Sequence, residues 1–296
     1  MPELPEVESV RRGLVDWISG AHVVGARVLD PRILGTTSQR RIPPEAVDAF
    51  TDAVTGASFR APERRGKFLW VPLGEDRPAA LTLHLGMSGQ LRIHSPDEAY
   101  HRHTRAVLSL ECGEGPHEPL ELRFLDQRIF GHIGLDDLVA DGPDAIPRGS
   151  AHIARDPLDQ HWDLESTART VARSRAAIKS VLLDQTVVSG IGNIYADEAL
   201  FRAGVHPLAV PSRTRISRIR RTLEESRTVM LEALAQGGTS FDALYVHVNG
   251  ESGYFSRSLK VYGREGQPCE RCGTAIVRDR FSNRSSHFCP RCQRKR

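Results

Sequence analysis

The sequence predicts an α+β protein, because the spacing of its apolar residues changes along the chain. Up to about residue 140, short segments alternate between apolar and polar residues, which is typical of antiparallel strands with one buried face. Beyond residue 150 the apolar residues recur at helical spacing, and two pairs of cysteines follow near the C-terminus. The 296 residues, 40% of them apolar, suffice for two cores. We expect an N-terminal antiparallel β-sandwich with a leading helix, then a helical domain that ends in a β-hairpin.

A helix is predicted at the start of the chain. Pro5 suits a first turn, and the acidic Glu6 and Glu8 suit the positive end of the helix dipole. Gly20 indicates where the helix stops. The apolar residues of this segment follow helical spacing, at Val7, Val10, Leu14, Trp17 and Ile18.

The same segment also allows a chemical interpretation. Removal of Met1 would leave Pro2 with a free secondary amine, and the carboxylates Glu3 and Glu6 follow closely. A chain-terminal amine titrates at about pH 8, and amines that attack sugar or carbonyl carbons form Schiff bases. Pro2 is therefore a candidate nucleophile, and this interpretation is compatible with a simple helix start.

Six segments are predicted as strands of the sandwich. Each is a short alternating or apolar run between turn residues, and several short strands of this kind indicate a sandwich. The segments are His22 to Leu29, Lys67 to Leu73, Leu81 to Leu85, Gln90 to His94, Arg105 to Glu111 and Leu120 to Leu125.

The region from 177 to 201 predicts a helix, two turns and a second helix. Gly190 and Gly192 permit a tight backbone, and Asn193 can cap the second helix, whose N-terminus would suit a phosphate. An ordinary interhelical loop is the alternative, but basic residues just upstream favour phosphate: Arg173, Arg175 and Lys179.

A long amphipathic helix follows and fixes the predicted domain bounds. Its apolar positions run from Ile216 to Leu234, and Gly237 ends it. The segment 141–150 has the composition of a linker. We expect a β-sandwich over 1–140, the linker, a helix-two-turn-helix domain over 151–256 and a hairpin module over 257–296.

Four cysteines predict one structural zinc ion. Cys269 with Cys272 and Cys289 with Cys292 form two pairs that sixteen residues separate, a spacing that suits one tetrahedral ion. Disulfides are the alternative, disfavoured because the sequence shows no secretory signal and only Cys112 remains elsewhere. Four thiolates fill the coordination shell, so this zinc ribbon would hold shape and would not catalyse.

The charge distribution predicts a polyanionic partner. Residues 257–296 carry eleven Lys or Arg and three acids, a net charge of +8, which leaves −5 of the overall +3 for the rest of the chain. A basic module on a mildly acidic protein favours nucleic acid. An anionic membrane is disfavoured, since no apolar run approaches the roughly 18 residues of a spanning helix. Cysteine usage and the absence of targeting signals indicate a reducing cytoplasm.

Several motifs, in this order, resemble bacterial members of the formamidopyrimidine-DNA glycosylase family over the whole chain. They are MPELPEVE at 1–8, HLGMSG at 84–89, GIGNIYA at 190–196, GYF at 253–255, VYGR at 261–264 and the four-cysteine ribbon. The resemblance implies a bifunctional repair enzyme that excises oxidised purines, notably 8-oxoguanine and formamidopyrimidines, and then cuts the strand by β,δ-elimination as an AP lyase.

The resemblance also implies catalytic roles. Pro2 matches the nucleophile at sugar C1′, Glu3 matches the acid that assists departure of the base, and Glu6 matches a second active-site carboxylate. Lys67 matches the proton donor for β-elimination, and Arg284 on the zinc ribbon matches the donor for δ-elimination.

Further residues match DNA contacts of the family. Nucleotide flipping leaves a gap in the duplex, and an apolar wedge and a guanidinium suit that gap. Met87 and the pair Arg128 and Phe130 match this wedge, and the loop from about Phe241 to Tyr254 resembles the lid over the flipped base. The other matching or basic positions are His101, Arg175, Asn193 and Lys179.

Some positions depart from the family pattern. Gln127 and Ile129 stand where a Pro and an Arg are common, Arg175 replaces a common Lys, and Asp242 stands where some members have a Lys. These departures bear on lesion preference and grip, not on the nucleophile or the cysteines.

The sequence allows two alternatives to an oxidised-purine glycosylase. The endonuclease VIII-like group shares the proline amine but removes oxidised pyrimidines; Leu4 and the wedge residues favour the purine branch. A non-catalytic lesion-binding protein would result if Met1 were retained. The expected partner is double-stranded DNA with an oxidised base or an abasic site. We expect a monomer without an obligate protein partner, since one lesion offers no two-fold symmetry.

Overall fold

The computed structural model describes residues 2–37, 39, 43, 45–74, 78–112, 119–237 and 258–295. These residues divide between two compact units. The first unit contains Pro2 and residues 6–152, and the second contains residues 3–5, 153–237 and 258–295. The predicted lid, from about 241 to 254, lies outside the described residues.

The first unit is the predicted antiparallel sandwich behind a leading helix. One sheet has the order β1-β6-β7-β5 and the other has the order β2-β3-β4-β8-β9. All of these strand pairs are antiparallel. The elements are α1 (Leu4–Ile18), β1 (Ala21–Val28), α2 (Ala46–Val54), β2 (Glu63–Arg65), β3 (Phe68–Pro72), β4 (Ala79–His84), β5 (Gly89–His94), β6 (Thr104–Cys112), β7 (Leu120–Asp126), β8 (His132–Asp141) and β9 (Asp144–Pro147).

One apolar core fills the space between these two sheets. The α1 residues Val7, Val10 and Leu14 are buried in it together with side chains of both sheets, such as Leu81 and Leu108. Because successive side chains of a strand point to opposite faces, the apolar face of each strand lies in this core. The six predicted strands are present, with bounds within two residues of those expected.

The segment 141–150 is not the simple linker that its composition predicts. Residues 144–147 form β9, which pairs with β8 from Leu138↔Pro147 to Asp141↔Asp144. The Asp141–Asp144 pair closes a two-residue hairpin in which Gly142 has a φ of 63°. The glycine and proline residues that suggested a linker therefore serve a tight turn and a strand end.

The second unit is helical and ends in the four-cysteine hairpin. Its core joins all four helices, and Leu4 from the first turn of α1 is buried among them. The apolar stripe of the longest helix, including Ile219, Leu223 and Met230, faces this core as its spacing predicts. The elements are α3 (Leu164–Ala172), α4 (Ile178–Leu182), α5 (Asn193–Ala203), α6 (Ile216–Ala235), β10 (Val277–Phe281) and β11 (Arg284–Phe288). Within the described residues no helix is long and apolar enough to cross a membrane.

Candidate active site and nucleic-acid interface

The N-terminus of α5 is capped by Glu3. Its carboxylate oxygens accept hydrogen bonds from the backbone N–H groups of Gly192 at 2.8 Å, Ile194 at 2.9 Å and Tyr195 at 3.3 Å. N–H groups at a helix N-terminus form a site for an anion, and a carboxylate of the chain itself supplies that anion here. The contact is tight, because a Cβ added at Gly192 would overlap the Glu3 carboxyl carbon. Glu3 is thus immobilised one residue after Pro2.

This arrangement corrects two expectations for the two-turn region. The N-cap position of α5 is Gly192, and Asn193 is the first helical residue, so Asn193 does not cap the helix. Its side-chain amide instead donates to the carbonyl oxygen of Ser285 at 3.0 Å. The phosphate predicted for the helix N-terminus would meet the Glu3 carboxylate, so these N–H groups do not serve as a phosphate site.

Lys179 is also placed differently from its prediction as a DNA contact. Its ammonium is fully buried, 2.6 Å from a carboxylate oxygen of Asp197, and it donates to Ser285 at 3.0 Å. Burial lowers the pKa of Lys179, although the charge of Asp197 opposes this shift. A buried, paired ammonium cannot reach a phosphate. The prediction of a direct DNA contact by Lys179 is wrong, because the sequence does not show that Asp197 lies one helix away.

The buried Lys179 and Asp197 hold the hairpin strand that carries Arg284. Asp197 accepts from the Ser286 hydroxyl at 2.9 Å and from the backbone N–H of His287 at 2.8 Å. β11 is thereby tied to α4 and α5 along three successive residues, 285–287. Arg284 is the first residue of β11 and is exposed, so it extends from a strand that this network fixes. Arg175, just before α4, is exposed as well.

The four cysteines suit one zinc ion. All four sulfur atoms lie within 4.8 Å of one another, and three of their separations are 3.5, 3.6 and 4.0 Å. Four thiolates around a tetrahedral ion at about 2.3 Å would lie about 3.8 Å apart. The residues present therefore fit the predicted structural ion, with Cys269 and Cys272 from one turn and Cys289 and Cys292 from the other.

In the first unit, Glu8 ties α1 to the hairpin that carries Lys67. Its carboxylate accepts from Arg11 at 2.8 Å, Arg12 at 2.9 Å and Arg64 at 3.0 Å. Burial raises the pKa of Glu8, but the hydrogen bonds and charges of Arg11 and Arg64 outweigh it and lower the pKa to about 2. A carboxylate with so low a pKa is ionised at every physiological pH and serves as a fixed anchor.

The Lys67 hairpin is a two-residue turn. Arg65 pairs with Phe68, so Gly66 and Lys67 form the tip, and Gly66 has the positive φ of 56° that such turns require. Arg64, held by Glu8, donates to the Gly66 carbonyl oxygen at 3.0 Å. The backbone at Lys67 is therefore held through Arg64 by α1, whose first turn carries Glu6. Pro2 and Glu6 are both buried.

The predicted wedge residues occupy two adjoining loops, which we call the wedge loops: residues 85–88 between β4 and β5, and residues 127–131 between β7 and β8. Met87 is 42% exposed and Phe130 is 45% exposed, so both large apolar side chains are open to solvent at the loops. Arg128 is exposed beside Phe130. His101 helps to line a cavity of about 70 Å³ next to these loops. The structure thus brings these four predicted contacts together.

The sequence does not indicate that Asp126, Asp197 and Glu198 organise the site, and it indicates Glu8 only as an acidic residue at a helix start. Glu198 accepts hydrogen bonds from three consecutive backbone N–H groups, those of residues 260–262, at 2.8 to 3.0 Å. An acidic residue within an otherwise apolar helix, as in α5, is the signal that could have indicated such buried caps.

Three family models match the chain in the order of its parts. The model described as "Formamidopyrimidine-DNA glycosylase N-terminal domain" matches residues 1–133. "Formamidopyrimidine-DNA glycosylase H2TH domain" matches residues 153–243, and "Zinc finger found in FPG and IleRS" matches residues 266–294.

Whole-chain relatives agree with these matches. A formamidopyrimidine-DNA glycosylase of Leifsonia xyli subsp. xyli is 51% identical over 307 residues, which cover 99% of this chain and 100% of the relative. The Lactococcus lactis Fpg in complex with DNA that contains an abasic site has a TM-score of 0.81 at 28% identity, and its complex with Fapy-dG DNA has a TM-score of 0.80 at 29% identity. Both alignments cover 99% of this chain and 100% of the solved chain.

Proposed function

Because the chain belongs to the formamidopyrimidine-DNA glycosylase family, we propose that it excises oxidised purines from double-stranded DNA and then cuts the strand at the resulting abasic site. The substrates are 8-oxoguanine and ring-opened formamidopyrimidines. One observation from the structure carries the catalytic part of this proposal: three backbone N–H groups immobilise Glu3, and Pro2 is its neighbour. A nucleophile beside a fixed carboxylate meets the positional demand of covalent catalysis.

The reaction begins with the Pro2 amine, which is free once Met1 is removed. Its nitrogen attacks C1′ of the lesion nucleotide, the N-glycosidic bond breaks, and the base leaves with its bonding electron pair. Glu3 assists by stabilising the developing positive charge at the sugar and by guiding a proton as the ring opens. The C1′–O4′ bond then breaks as O4′ takes up a proton, and the product is an iminium between Pro2 and C1′.

Strand cleavage follows from the acidity that the iminium confers on the C2′ hydrogen. Loss of that proton and breakage of the C3′–O3′ bond release the 3′ phosphate, which is β-elimination. Loss of the C4′ proton and breakage of the C5′–O5′ bond release the 5′ phosphate, which is δ-elimination. We assign proton transfer and charge stabilisation in the first step to Lys67 and in the second to Arg284, with Glu6 as a further carboxylate.

Recognition requires that the nucleotide leave the base stack, at a cost of a few kcal/mol. The exposed Met87 and Phe130 fill the gap, and Arg128 faces the unpaired base. His101, Arg175 and Asn193 contact the DNA backbone, where a cationic or amide side chain adds affinity without reading sequence. We place the reaction in the bacterial cytoplasm, with the enzyme acting as a monomer.

The zinc ribbon has a structural part in this proposal. When bound, the ion fixes the two cysteine turns and so the hairpin between them. The residues of the chain then present Arg284 on an ordered strand of a strongly basic module.

Borohydride trapping tests the proposal. The processed protein is incubated with duplexes that contain 8-oxoguanine opposite cytosine, a formamidopyrimidine or an oxidised pyrimidine, and the adduct is mapped by peptide mass spectrometry. We expect an adduct at Pro2 that forms mainly on the purine lesions. Pro2→Gly should still bind the lesion but turn over much more slowly. Cys112→Ser serves as the control, because Cys112 has no proposed role in DNA binding or catalysis. An adduct at another residue, or undiminished turnover by Pro2→Gly, would move the nucleophile elsewhere.

The same assay separates the alternatives. Preference for the oxidised pyrimidine would assign the chain to the endonuclease VIII-like activity. Intact lesion binding without any adduct, in protein whose N-terminal mass shows that Met1 is gone, would indicate a lesion-binding protein.

A further inference from the structure

The two wedge loops are joined to each other at the backbone. A Cβ added at Gly86 would overlap the carbonyl group of Phe130 and the nitrogen of Gly131, so the loops approach as closely as two backbones can. Gly86 also has a positive φ of 58°, which favours glycine on conformational grounds. The two loops therefore cannot move independently without losing this contact.

A single buried carboxylate is hydrogen-bonded to both loops. One oxygen of Asp126 accepts from the backbone N–H groups of Arg128 at 2.9 Å and Ile129 at 3.0 Å, and the other accepts from Gly131 at 2.8 Å. The Ser88 hydroxyl, next to Met87 in the other loop, donates to Asp126 as well. Asp126 is only 1% exposed, so water does not compete for these bonds.

The conformation that Asp126 holds is a strained one. Ile129 has a φ of 54°, in the left-handed region that β-branched residues rarely adopt. Such a conformation is unfavourable and persists only where the surroundings of the residue determine it. The hydrogen bond from the Ile129 N–H to Asp126 belongs to those surroundings, and the strained residue lies between Arg128 and Phe130.

We propose that Asp126 is a positioning residue for nucleotide flipping, which holds Met87, Arg128 and Phe130 as one preorganised wedge. The proposal rests on the proposed function, since it gives those three residues their role. A preorganised wedge adds nothing to the chemistry at C1′. It lowers only the barrier to flipping a nucleotide out of a duplex, because both loops are already ordered before the DNA binds.

The consequence is a substrate-dependent defect. Asp126→Asn has the same shape, but an NH2 group replaces one carboxylate oxygen. That nitrogen cannot accept the hydrogen bond from the Gly131 N–H, so two N–H donors would face each other. We expect excision of 8-oxoguanine from a duplex to fall by about 10- to 100-fold, as a small misplacement of a positioned group does. Cleavage of a single-stranded oligonucleotide at an abasic site needs no flipping and should be unchanged.

The experiment measures single-turnover rates on both substrates for a graded set of variants. Ser88→Ala removes the hydroxyl that links the loops through Asp126 but keeps the backbone contact at Gly86, and it should give a smaller duplex defect than Asp126→Asn. Met87→Ala reports what loss of the wedge itself does. Asp137→Asn, an exposed carboxylate on β8, is the matched control and should behave as wild type. Fluorescence of 2-aminopurine beside the lesion reports flipping directly, and thermal melting of each variant verifies folding.

A duplex-specific loss in Asp126→Asn that follows the pattern of Met87→Ala, with a slower 2-aminopurine signal, supports the proposal. Unchanged duplex excision by Asp126→Asn while Met87→Ala is impaired would overturn the role of Asp126 and leave the proposed function intact. Equal losses on both substrates would also overturn it, because they indicate a general structural role. Wild-type protein without activity on either substrate would instead refute the proposed function.

Discussion

Replacement of Glu8 by Gln should destabilise the first unit in a pH-dependent way. Glu8 lies within hydrogen-bonding distance of Arg11, Arg12 and Arg64. Its pKa is lowered from 4.5 to about 2 in the folded protein. Because the folded pKa lies below the unfolded one, the carboxylate adds stability that is fully present above about pH 5 and is lost as the pH falls towards 2.

The size of the effect follows from that shift. A lowering of about two and a half pKa units corresponds to about 3 kcal/mol at about 1.4 kcal/mol per unit. Solvent screening reduces this figure, since the Arg12 side chain is 60% exposed, although that of Arg64 is only 7% exposed. We therefore expect Glu8→Gln to lose about 2 kcal/mol of unfolding free energy at pH 7.

Urea unfolding at several pH values between 2 and 7 measures this loss. In a Trp162→Phe background the remaining tryptophans, Trp17 and Trp70, lie in the first unit and report on it alone. This separation is needed because a two-unit chain has no single unfolding free energy. Glu111→Gln, which removes an exposed carboxylate from β6, is the matched control.

The difference between wild type and Glu8→Gln should be largest at pH 7 and should become small near pH 2, where Glu8 is protonated in the unfolded chain and about half protonated in the folded one. A difference that stays constant over this range would refute the argument, because it would show that the ionised carboxylate is not the source of the stability. A loss as large in Glu111→Gln would refute it as well.

Three further predictions concern the second unit. Gly192→Ala should displace Glu3 and slow base excision by about 100-fold in single-turnover assays. Gly25→Ala should be silent, because the added methyl group meets only the Ser109 side chain, at an ordinary contact distance of 4.0 Å. A fully active Gly192→Ala would contradict the role of Glu3. Lys179→Ala should lower the unfolding free energy of this unit by about 3 kcal/mol, because the buried Asp197 carboxylate loses the ammonium that lies 2.6 Å away. A change near zero in urea unfolding would contradict this prediction. Chelation should release one zinc ion per chain, which a metallochromic dye measures. It should weaken DNA binding more than it lowers the melting temperature of the first unit. Chelated protein that still binds and cuts DNA would contradict the structural role of the ribbon.

Much of the fold was predictable because its signals are local. The cysteine pairs are three residues apart within each turn, so their spacing alone indicates the ion. The strands that alternate cleanly were predicted within two residues. β8 was missed because Asp136 and Asp137 interrupt its alternation, and β2 because three residues carry no period.

The site was less predictable where it depends on distant partners. In the sequence Lys179 resembles a surface cation. Only the structure shows that it is buried and paired with Asp197. The cap of α5 was assigned to Asn193 because Asn is a common cap, while the carboxylate that takes this place is 189 to 192 residues away in sequence. The resemblance to the family supplied the roles of Lys67 and Arg284, since no local pattern distinguishes either from surface charge.

The capping of α5 by Glu3 has a consequence for how the protein is made. At about 5–20 residues per second, a ribosome synthesises Glu3 roughly 10 to 40 s before the backbone groups that it binds. Leu4 is buried in the same helical core, and the residues that it packs against there are also synthesised long after it. A fragment that starts at residue 153 should therefore need a peptide containing residues 3–5, added in trans, to complete its core and its helix cap. The residues that leave the ribosome first are among the last to be fixed in place.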